Sequence, residues 1–494
     1  MSKPGFDNEK YRALQSARIR ERIDCFGGKL YLEFGGKLFD DFHASRVLPG
    51  FAPDSKMRML ASLADQVEIL ITINAHDIEK NKVRGDLGIS YEEDVLRLTD
   101  AFRALGLLVS GVVVTRYAGQ ASADAFLKRI FALGMRGYKH HLIPGYPSDI
   151  PHIVSEVGYG KNDYIQTTRP LVVVTAPGPG SGKMAVCLSQ LYHDYRRGIR
   201  SGYAKFETFP VWNLPLMHPV NLAYEAATAD LSDVIMLDPY HLEAYGETAV
   251  NYNRDVEIFP LLNAMLQRIQ GASPYQSPTD MGVNMVGCCI SDEDVVREAA
   301  ANEILRRYFA ASCDRARGTG NDDAVRKLEL ILNQMGISPD ANPMIRASLD
   351  KEKATGGPAG AMRLTDGRIV TGKTTDLLGC SSSLLLNALK ALGGIDPSLD
   401  LISPQVLTPI CKLKTEHMGN KNPRLHSDEV LIALCISAVT NPVAELALHQ
   451  LAKLSGAQAH FSVILSGVDE QQYRKLGVHV SCQPKYEQEK LYHR

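Results

Sequence analysis

No apolar run in this sequence approaches the roughly 18 to 20 residues needed to span a bilayer, which excludes a membrane-spanning helix. The first thirty residues are crowded with charge (Asp7, Glu9, Lys10, Arg12, Arg18, Arg20, Glu21, Arg22), so no secretory signal is expected. An excess of positive charge is also missing. Lys and Arg number 54 against 56 acids, and a nucleic-acid partner drawn by a global basic field is excluded. Cysteine is sparse and unpatterned: Cys25, Cys187, Cys288, Cys289, Cys313, Cys380, Cys411, Cys435 and Cys482 form no Cys-x-x-Cys spacing. Reduced thiols in the cytoplasm are therefore expected, and a zinc site is not. His140-His141 and Cys288-Cys289 likewise lack partners at metal spacing.

What is present is ordinary globular composition, 45% apolar and 22% charged over 494 residues, too long for one core and suited to two to four domains. From about residue 65 short β-branched runs alternate with helical periodicity. Val67 to Ile73, Leu107 to Thr115, Leu171 to Thr175 and Val234 to Leu237 read as strands. Tyr91 to Leu105, Ser122 to Leu133 and Met184 to Arg197 read as helices. Strands apolar on both faces that alternate with helices predict an α/β fold with a covered parallel sheet. Two amphipathic helices follow, over 292–309 and 322–335, and then a Gly/Pro break, GGPAGA, at 356–361. Beyond it Met362 to Val370 reads as a hairpin turning at Asp366-Gly367. Helices over 381–392, 427–439 and 442–455 and a strand over 459–466 complete this part. The predicted domains are an α/β domain with a glycine-rich loop at 1–290, a helical domain at 291–355 and a C-terminal α/β domain at 356–494.

The segment that carries chemistry is Ala176-Pro177-Gly178-Pro179-Gly180-Ser181-Gly182-Lys183, between the strand LVVVT and a helix. A strand, a glycine-rich turn and a helix N-terminus aim free N–H groups and the positive end of the helix dipole at one point. Gly178, Gly180, Ser181, Gly182 and Lys183 are accordingly candidate phosphate ligands, with Lys183 where a P-loop lysine meets its phosphate. The match to G-x-x-x-x-G-K-[ST] is incomplete. Pro177 stands at the first glycine position, Met184 replaces the hydroxyl that would ligate Mg²⁺, and Pro177 and Pro179 remove two donors. An anion site survives these changes better than ATP hydrolysis does; a tight turn with a packing role is the plainer alternative. Ser181 is not central in Gly-Pro-Gly-Ser-Gly, which speaks against a hydrolase elbow. Gly367 to Thr374 matches the P-loop pattern letter for letter, yet Ile369 and Val370 are strand formers after an Asp-Gly turn, so a hairpin strand is expected there.

Other polar clusters surround this candidate. Glu33, Lys37, Asp40, Asp41, His43, Ser45 and Arg46 interleave with Phe34, Phe39 and Phe42, either as site residues or as a salt-bridged turn. His76 follows a predicted strand, where parallel sheets bind ligands. Residues 205–255 gather Lys205, Glu207, Trp212, His218, Asp238, His241, Arg254 and Asp255. They line a pocket facing Lys183 or form buried hydrogen-bond networks. Asp238, after VIML, resembles a Walker B acid. The candidate catalytic residues are Lys183, Asp238, His43 and Asp41, and the further pocket residues are Glu33, Lys37, Arg46, His76, His241 and Arg254.

The runs KLYLEFGGKLFDDFHASRVLPGF, VVVTAPGPGSGKM, KFETFPVWNLPLMHPVNLAYEAATADL and NYNRDVEIFP resemble the bacterial uncharacterised protein family 0371, also called domain of unknown function 1846. The resemblance covers essentially the whole chain. It implies a Rossmann- or P-loop-like N-terminal part, a small helical domain and a C-terminal part of cytidine-deaminase-like topology; it implies a fold and not a reaction. Zinc deaminases place a His or Cys with a Glu two residues on, then Pro-Cys-x-x-Cys. Here Ser382 stands at the Glu position after Cys380, Thr408-Pro409-Ile410-Cys411 carries one thiol, and His426-Ser427-Asp428 has no cysteine pair after it. Deaminase chemistry is not expected, and such a domain would serve packing or binding. Two functions remain: an enzyme taking a nucleotide or phosphorylated small molecule at 176–183, or a non-catalytic metabolite-binding or regulatory protein that forms a homo-oligomer. In both the cofactor or ligand is a nucleotide or phosphate, and neither membrane nor nucleic acid is a partner.

Overall fold

The protein, a computed structural model, is described over residues 4–39, 41–84, 87–231 and 233–487. It divides into two compact units, one of Pro4–Glu225 with Asp233–Arg297, the other of the chain from Glu298 onward together with 226–231.

The first unit is built on a seven-stranded, wholly parallel sheet. Its strands are β1 (Leu30–Phe34), β2 (Val67–Asn74), β3 (Leu108–Tyr117), β4 (Gly137–His141), β5 (Leu171–Thr175), β6 (Gly202–Phe206) and, after a separate pair described below, β9 (Gly282–Val283). They lie in the order β4-β3-β2-β5-β1-β6-β9. Helices cover both faces, as β-branched strands buried on both sides demand. One face packs α1 (Asn8–Cys25), α2 (Phe42–Val47), α3 (Ser55–Ala61), α4 (Tyr91–Ala104) and α5 (Ala121–Ala132) around Leu32, Phe34, Ile69, Ile71, Phe102 and Phe206. The other packs α6 (Lys183–Arg196) and, further along, α8 (Asn253–Gln270) around Tyr31, Val172, Val174, Leu191, Phe259 and Leu266. α4 starts where the sequence says it should: Ser90 and Glu93 form a reciprocal capping box.

The chain leaves β1, skips one place to β2, runs outward to β4, and returns with β5 between β2 and β1. The winding reverses between β1 and β5, so the loops after these two strands part to opposite faces and leave a crevice at their carboxyl ends. The glycine-rich loop is one of them.

One expectation is corrected. Val234 to Leu237 does not close the parallel set: β7 (Ile235–Leu237) pairs antiparallel with β8 (Val250–Tyr252) in a separate ribbon, and Leu237 is 46% exposed. The sheet is completed instead by β1, β4, β6 and β9, short runs interrupted by charged residues, histidine or glycine that carry a weak strand signal. Asp40, part of the polar cluster read from the sequence, lies outside the described residues.

The second unit contains α9 (Asp322–Gln334) and α10 (Pro343–Thr355), followed by a four-stranded mixed sheet. Its strands are β10 (Ala359–Arg363), β11 (Ile369–Lys373), β12 (Gln458–Phe461) and β13 (His479–Cys482), in the order β11-β10-β12-β13. Only the β12–β13 pair is parallel. The hairpin predicted at Asp366-Gly367 is present, with Arg363 opposite Ile369 and Gly367 at φ +89°. The literal P-loop match therefore is a strand. A Cβ on Gly372 would stand 2.3 Å from the backbone nitrogen of Leu384, so this glycine serves strand–helix packing. The core helices α11 (Cys380–Gly393) and α12 (Ser427–Ala438) match their predicted spans to within a residue, and α13 (Gly467–Lys475) follows β12. The helix expected over 442–455 stops at Leu448, and the strand expected over 459–466 ends at Phe461.

Candidate functional site

The loop 176–183 is held by its carbonyls. Ser181 Oγ donates to Gly178 O (2.6 Å), Thr115 Oγ1 to Ser181 O (2.8 Å), and Asn74 Nδ2 to Gly180 O (3.4 Å). Three elements thus turn the oxygens inward. No amide of Gly178, Gly180, Ser181, Gly182, Lys183, Met184 or Ala185 donates to an acceptor among the described residues; the first helical bond runs from Val186 to Gly182. Gly182, the α6 N-cap, sits at φ +82° with no side-chain cap. A Cβ on Gly178 would meet the Tyr91 hydroxyl at 2.2 Å, which explains why no larger residue stands there. Lys183 opens α6, and its ammonium forms no hydrogen bond or ion pair with a described residue. The arrangement is a row of unused donors with a cation at its end, the chemistry of an anion cradle.

Beside it lies a buried charged cluster. Glu33 on β1 is in register with Val174 of β5 and Lys205 of β6, so all three face α6 and α8. The Tyr203 hydroxyl donates to Glu33 Oε2 at 2.7 Å. Lys205 Nζ contacts Glu207 Oε1 at 2.6 Å and also pairs with Asp255 in the first turn of α8. These three side chains are 20%, 11% and 21% exposed. Burial would neutralise Lys205, but Asp255, Glu207 and Glu33 outweigh it and hold the ammonium charged. Burial pushes the Glu207 carboxyl up to about 7, with Asp255 and Glu33 adding to the rise and Lys205 opposing it. Burial also raises the Cys187 thiol, reinforced by Glu33 and opposed by Lys183. Both the cluster and the cradle therefore act on this one residue, a turn into α6. Tyr146 is pushed to about 12 by burial and Glu33, with Arg116 opposing. Arg116 itself stands at φ +50°, in a break of the β3–β4 register just past Thr115, a conformation rare for a side-chain-bearing residue and frequent at functional sites.

The raised Glu207 makes stability pH-dependent in a defined direction. Between about 4.5 and 7 the folded protein holds a proton that the unfolded chain has released, so stability falls as pH rises through that window. Urea midpoints at pH 5 and 7.5 are expected to show this fall, on the order of 1–3 kcal/mol, reduced in Glu207→Gln.

The other candidates are placed elsewhere. Asp41 is buried as the N-cap of α2, accepting from Ala44 N at 3.2 Å, and pairs with Lys56 at 2.7 Å. Burial opposes its charge, but Lys56 and the amide hold its carboxyl below the usual range. Lys56 also donates to Lys37 O (3.1 Å) and lies over the Phe206 ring, on the sheet face opposite the Glu33 cluster. His43 packs edge-on against Phe209 and Tyr224. Lys37 is exposed, and Arg46 is half-buried in the last turn of α2. His76 is exposed and meets Glu79 at 3.4 Å. Asp238 is fully buried as the N-cap of α7 (Pro239–Tyr245), accepting from Tyr240 N, His241 N, Thr279 N and Thr279 Oγ1. Four donors occupy its carboxylate, which leaves no lone pair for a metal. His241 bonds Ser277 Oγ at 3.0 Å, and Arg254 pairs with Asp233 at 2.8 Å. No group of three His, Cys, Asp or Glu with metal-binding geometry occurs among the described residues.

Lys183 and Glu33 are thus the sequence candidates that the fold brings to one face. Arg116, Tyr146, Cys187 and Tyr203 were not singled out by sequence. For Tyr203 a signal existed: Tyr203, Lys205 and Glu207 alternate, as residues on one face of a strand must.

Comparison with known proteins gives two family matches, to the domain of unknown function DUF1846, N-terminal, over residues 4–336, and to its C-terminal counterpart over 340–492. The chain is 58% identical to a UPF0371 protein of Corynebacterium efficiens over 489 residues, 99% of each chain. It is 55% identical to one of Streptococcus thermophilus over 492 residues, 100% of each, and 57% identical to one of Corynebacterium diphtheriae over 490 residues, 99% of this chain and 98% of the other.

Proposed function

This chain belongs to the DUF1846 family, and we propose that it is an enzyme acting on a phosphorylated small molecule or nucleotide, held by its phosphate at 176–183. One observation carries the reading: a row of amides without acceptors among the described residues, ending in Lys183, whose ammonium has no partner among them, beside a cluster in which burial pushes the Glu207 carboxyl up to about 7. The amides of Gly178 and of Gly180 to Ala185, with Lys183 and Arg116, supply charge for a phosphate. A carboxyl near 7 exchanges protons in either direction at physiological pH. Acid–base chemistry on the part of the ligand that reaches Glu207 and Glu33 follows from this pairing. P-loop phosphoryl transfer does not, because Met184 lacks the Mg²⁺-ligating hydroxyl and Asp238 is spent on a helix cap.

The alternative is a metabolite-binding regulatory protein, active as a homo-oligomer. The missing hydroxyl at 184 favours it; the proton-active cluster favours the enzyme. Either works in the cytoplasm, consistent with nine free cysteines and with the absence of a membrane-crossing helix among the described residues. For the second unit we infer a deaminase-like topology without its chemistry, supported by the order β11-β10-β12-β13 with only the last pair parallel.

Calorimetric titration with inorganic phosphate, ATP and a panel of phosphorylated metabolites tests the reading. Lys183→Ala is expected to weaken phosphate binding about tenfold or more, the contribution of a charge-assisted contact. Glu207→Gln is expected to leave binding intact and to lower turnover of the tightest ligand by about 10²–10⁴. Tight binding without turnover in the wild type selects the regulatory alternative; indifference of every ligand to Lys183→Ala removes the loop from both.

A further inference from the structure

The second unit contains a cleft that neither reading uses. It is small and open to solvent, and is lined among others by Ser381, Arg424, His426, Asp469 and Glu487. We propose that this cleft is a second binding site, for the oxyanion of a small ligand, a carboxylate or a phosphate.

Ser381 is the observation that asks for a ligand. The residue is 2% exposed, yet its Oγ has no hydrogen-bond partner among the described residues and opens into the cleft. Its neighbour Ser382 Oγ, by contrast, is committed to Leu425 O at 2.8 Å. A hydroxyl with no partner in the protein that faces the cleft is a donor available to a ligand oxygen entering there.

The surroundings fix the sign of that ligand. Ser381 lies in the first turn of α11, whose N-cap is Gly379 and which has no side-chain cap. The amides of Cys380, Ser381 and Ser382 have no backbone acceptor among the described residues; the helical bonds begin with Ser383 to Gly379. The acids in the cleft are already occupied. Asp469 accepts from Ser427 N, Ser427 Oγ, Ser466 Oγ and His426 Nδ1, each at 2.8 Å, and Glu487 is paired with Arg424 at 2.7 Å. Since His426 turns Nδ1 to Asp469, Nε2 is the donor it has left. The hydrogen bond to Asp469 raises its pKa above the usual value against the effect of burial, which favours the doubly protonated ring. Burial, with Asp469 and Glu487, pushes the Cys380 thiol up to about 12, so the residue beside Ser381 stays neutral and adds no negative charge. Hydroxyl, imidazolium and uncapped helix terminus then offer donors to one oxyanion.

The test uses the full chain in a Lys183→Ala background, which weakens the loop site, while Ser381→Ala and His426→Gln leave the loop untouched and keep the two proposals separable. Inorganic phosphate and acetate are titrated calorimetrically. One site is expected to remain in Lys183→Ala, for phosphate or for acetate, the better of the two assigning the class. Ser381→Ala, which removes no internal hydrogen bond, is expected to weaken it about fivefold, and His426→Gln about tenfold or more. No binding of either anion in Lys183→Ala, or binding that both substitutions leave unchanged, overturns the proposal.

Discussion

Lys205→Met is expected to cost about 3–5 kcal/mol of stability, the range for removing one partner of a buried ion pair. Lys205 is the cation shared by Glu207 and Asp255, and it also offsets Glu33. Methionine keeps the length and the apolar stem but leaves three carboxyls facing one another. They will respond by taking up protons, so the loss should be smallest in acid and grow as pH rises. Chemical denaturation at pH 5 and pH 8 measures this. The double variant Lys205→Met/Glu207→Gln is expected to recover part of the loss, because one of the stranded charges is gone. Equal midpoints for wild type and Lys205→Met at pH 8 would refute the cluster as drawn.

Lys56→Met is expected to cost a similar amount, about 3–5 kcal/mol, for a different purpose. Lys56 is 1% exposed and holds Asp41 at 2.7 Å and the carbonyl of Lys37 at 3.1 Å. Without it Asp41 is buried beside an apolar chain, and its depressed pKa must rise. Asp41 gains its stability above the unfolded carboxylate range and loses it as pH falls through its lowered value, so the penalty of Lys56→Met should be fully present at pH 7 and shrink in acid. The two lysines lie on opposite faces of the sheet. In the protein that remains folded, Lys56→Met should leave phosphate affinity at the loop unchanged, whereas Lys205→Met should alter turnover. Denaturation paired with phosphate titration separates the scaffold pair from the site cluster; a change in phosphate affinity in folded Lys56→Met would place Asp41 in the site after all.

The parts of the fold readable in the sequence are those with a long, unbroken period. LVVVT at 171–175 and VEILITI at 67–73 are apolar on both faces and could only be covered strands; Tyr91 to Ala104 carries its apolar stripe in fourteen residues, with Ser90 capping its start. The loop after β5 was legible because glycine and proline constrain the backbone locally. β1 was not: five residues with Glu33 among them carry too little pattern, and only its neighbours β5 and β6 make it a central strand. Asp238 shows the opposite failure. An acid after VIML imitates a strand-end ligand, but the strand there is three residues long and pairs with β8, so the acid caps a helix.

The sequence by itself determined the parallel α/β character, the hairpin at Asp366-Gly367 and the turn at 176–183, because each depends on periods and backbone preferences that act over a few residues. Only the tertiary structure decided what the turn stands beside. Glu33, Lys183, Lys205, Glu207 and Asp255 are up to 222 residues apart in the chain. What brings them to one face is strand register and the crossing of α6 and α8, and what raises Glu207 is burial among the others. Neither register between distant strands nor desolvation leaves a local trace in the order of amino acids.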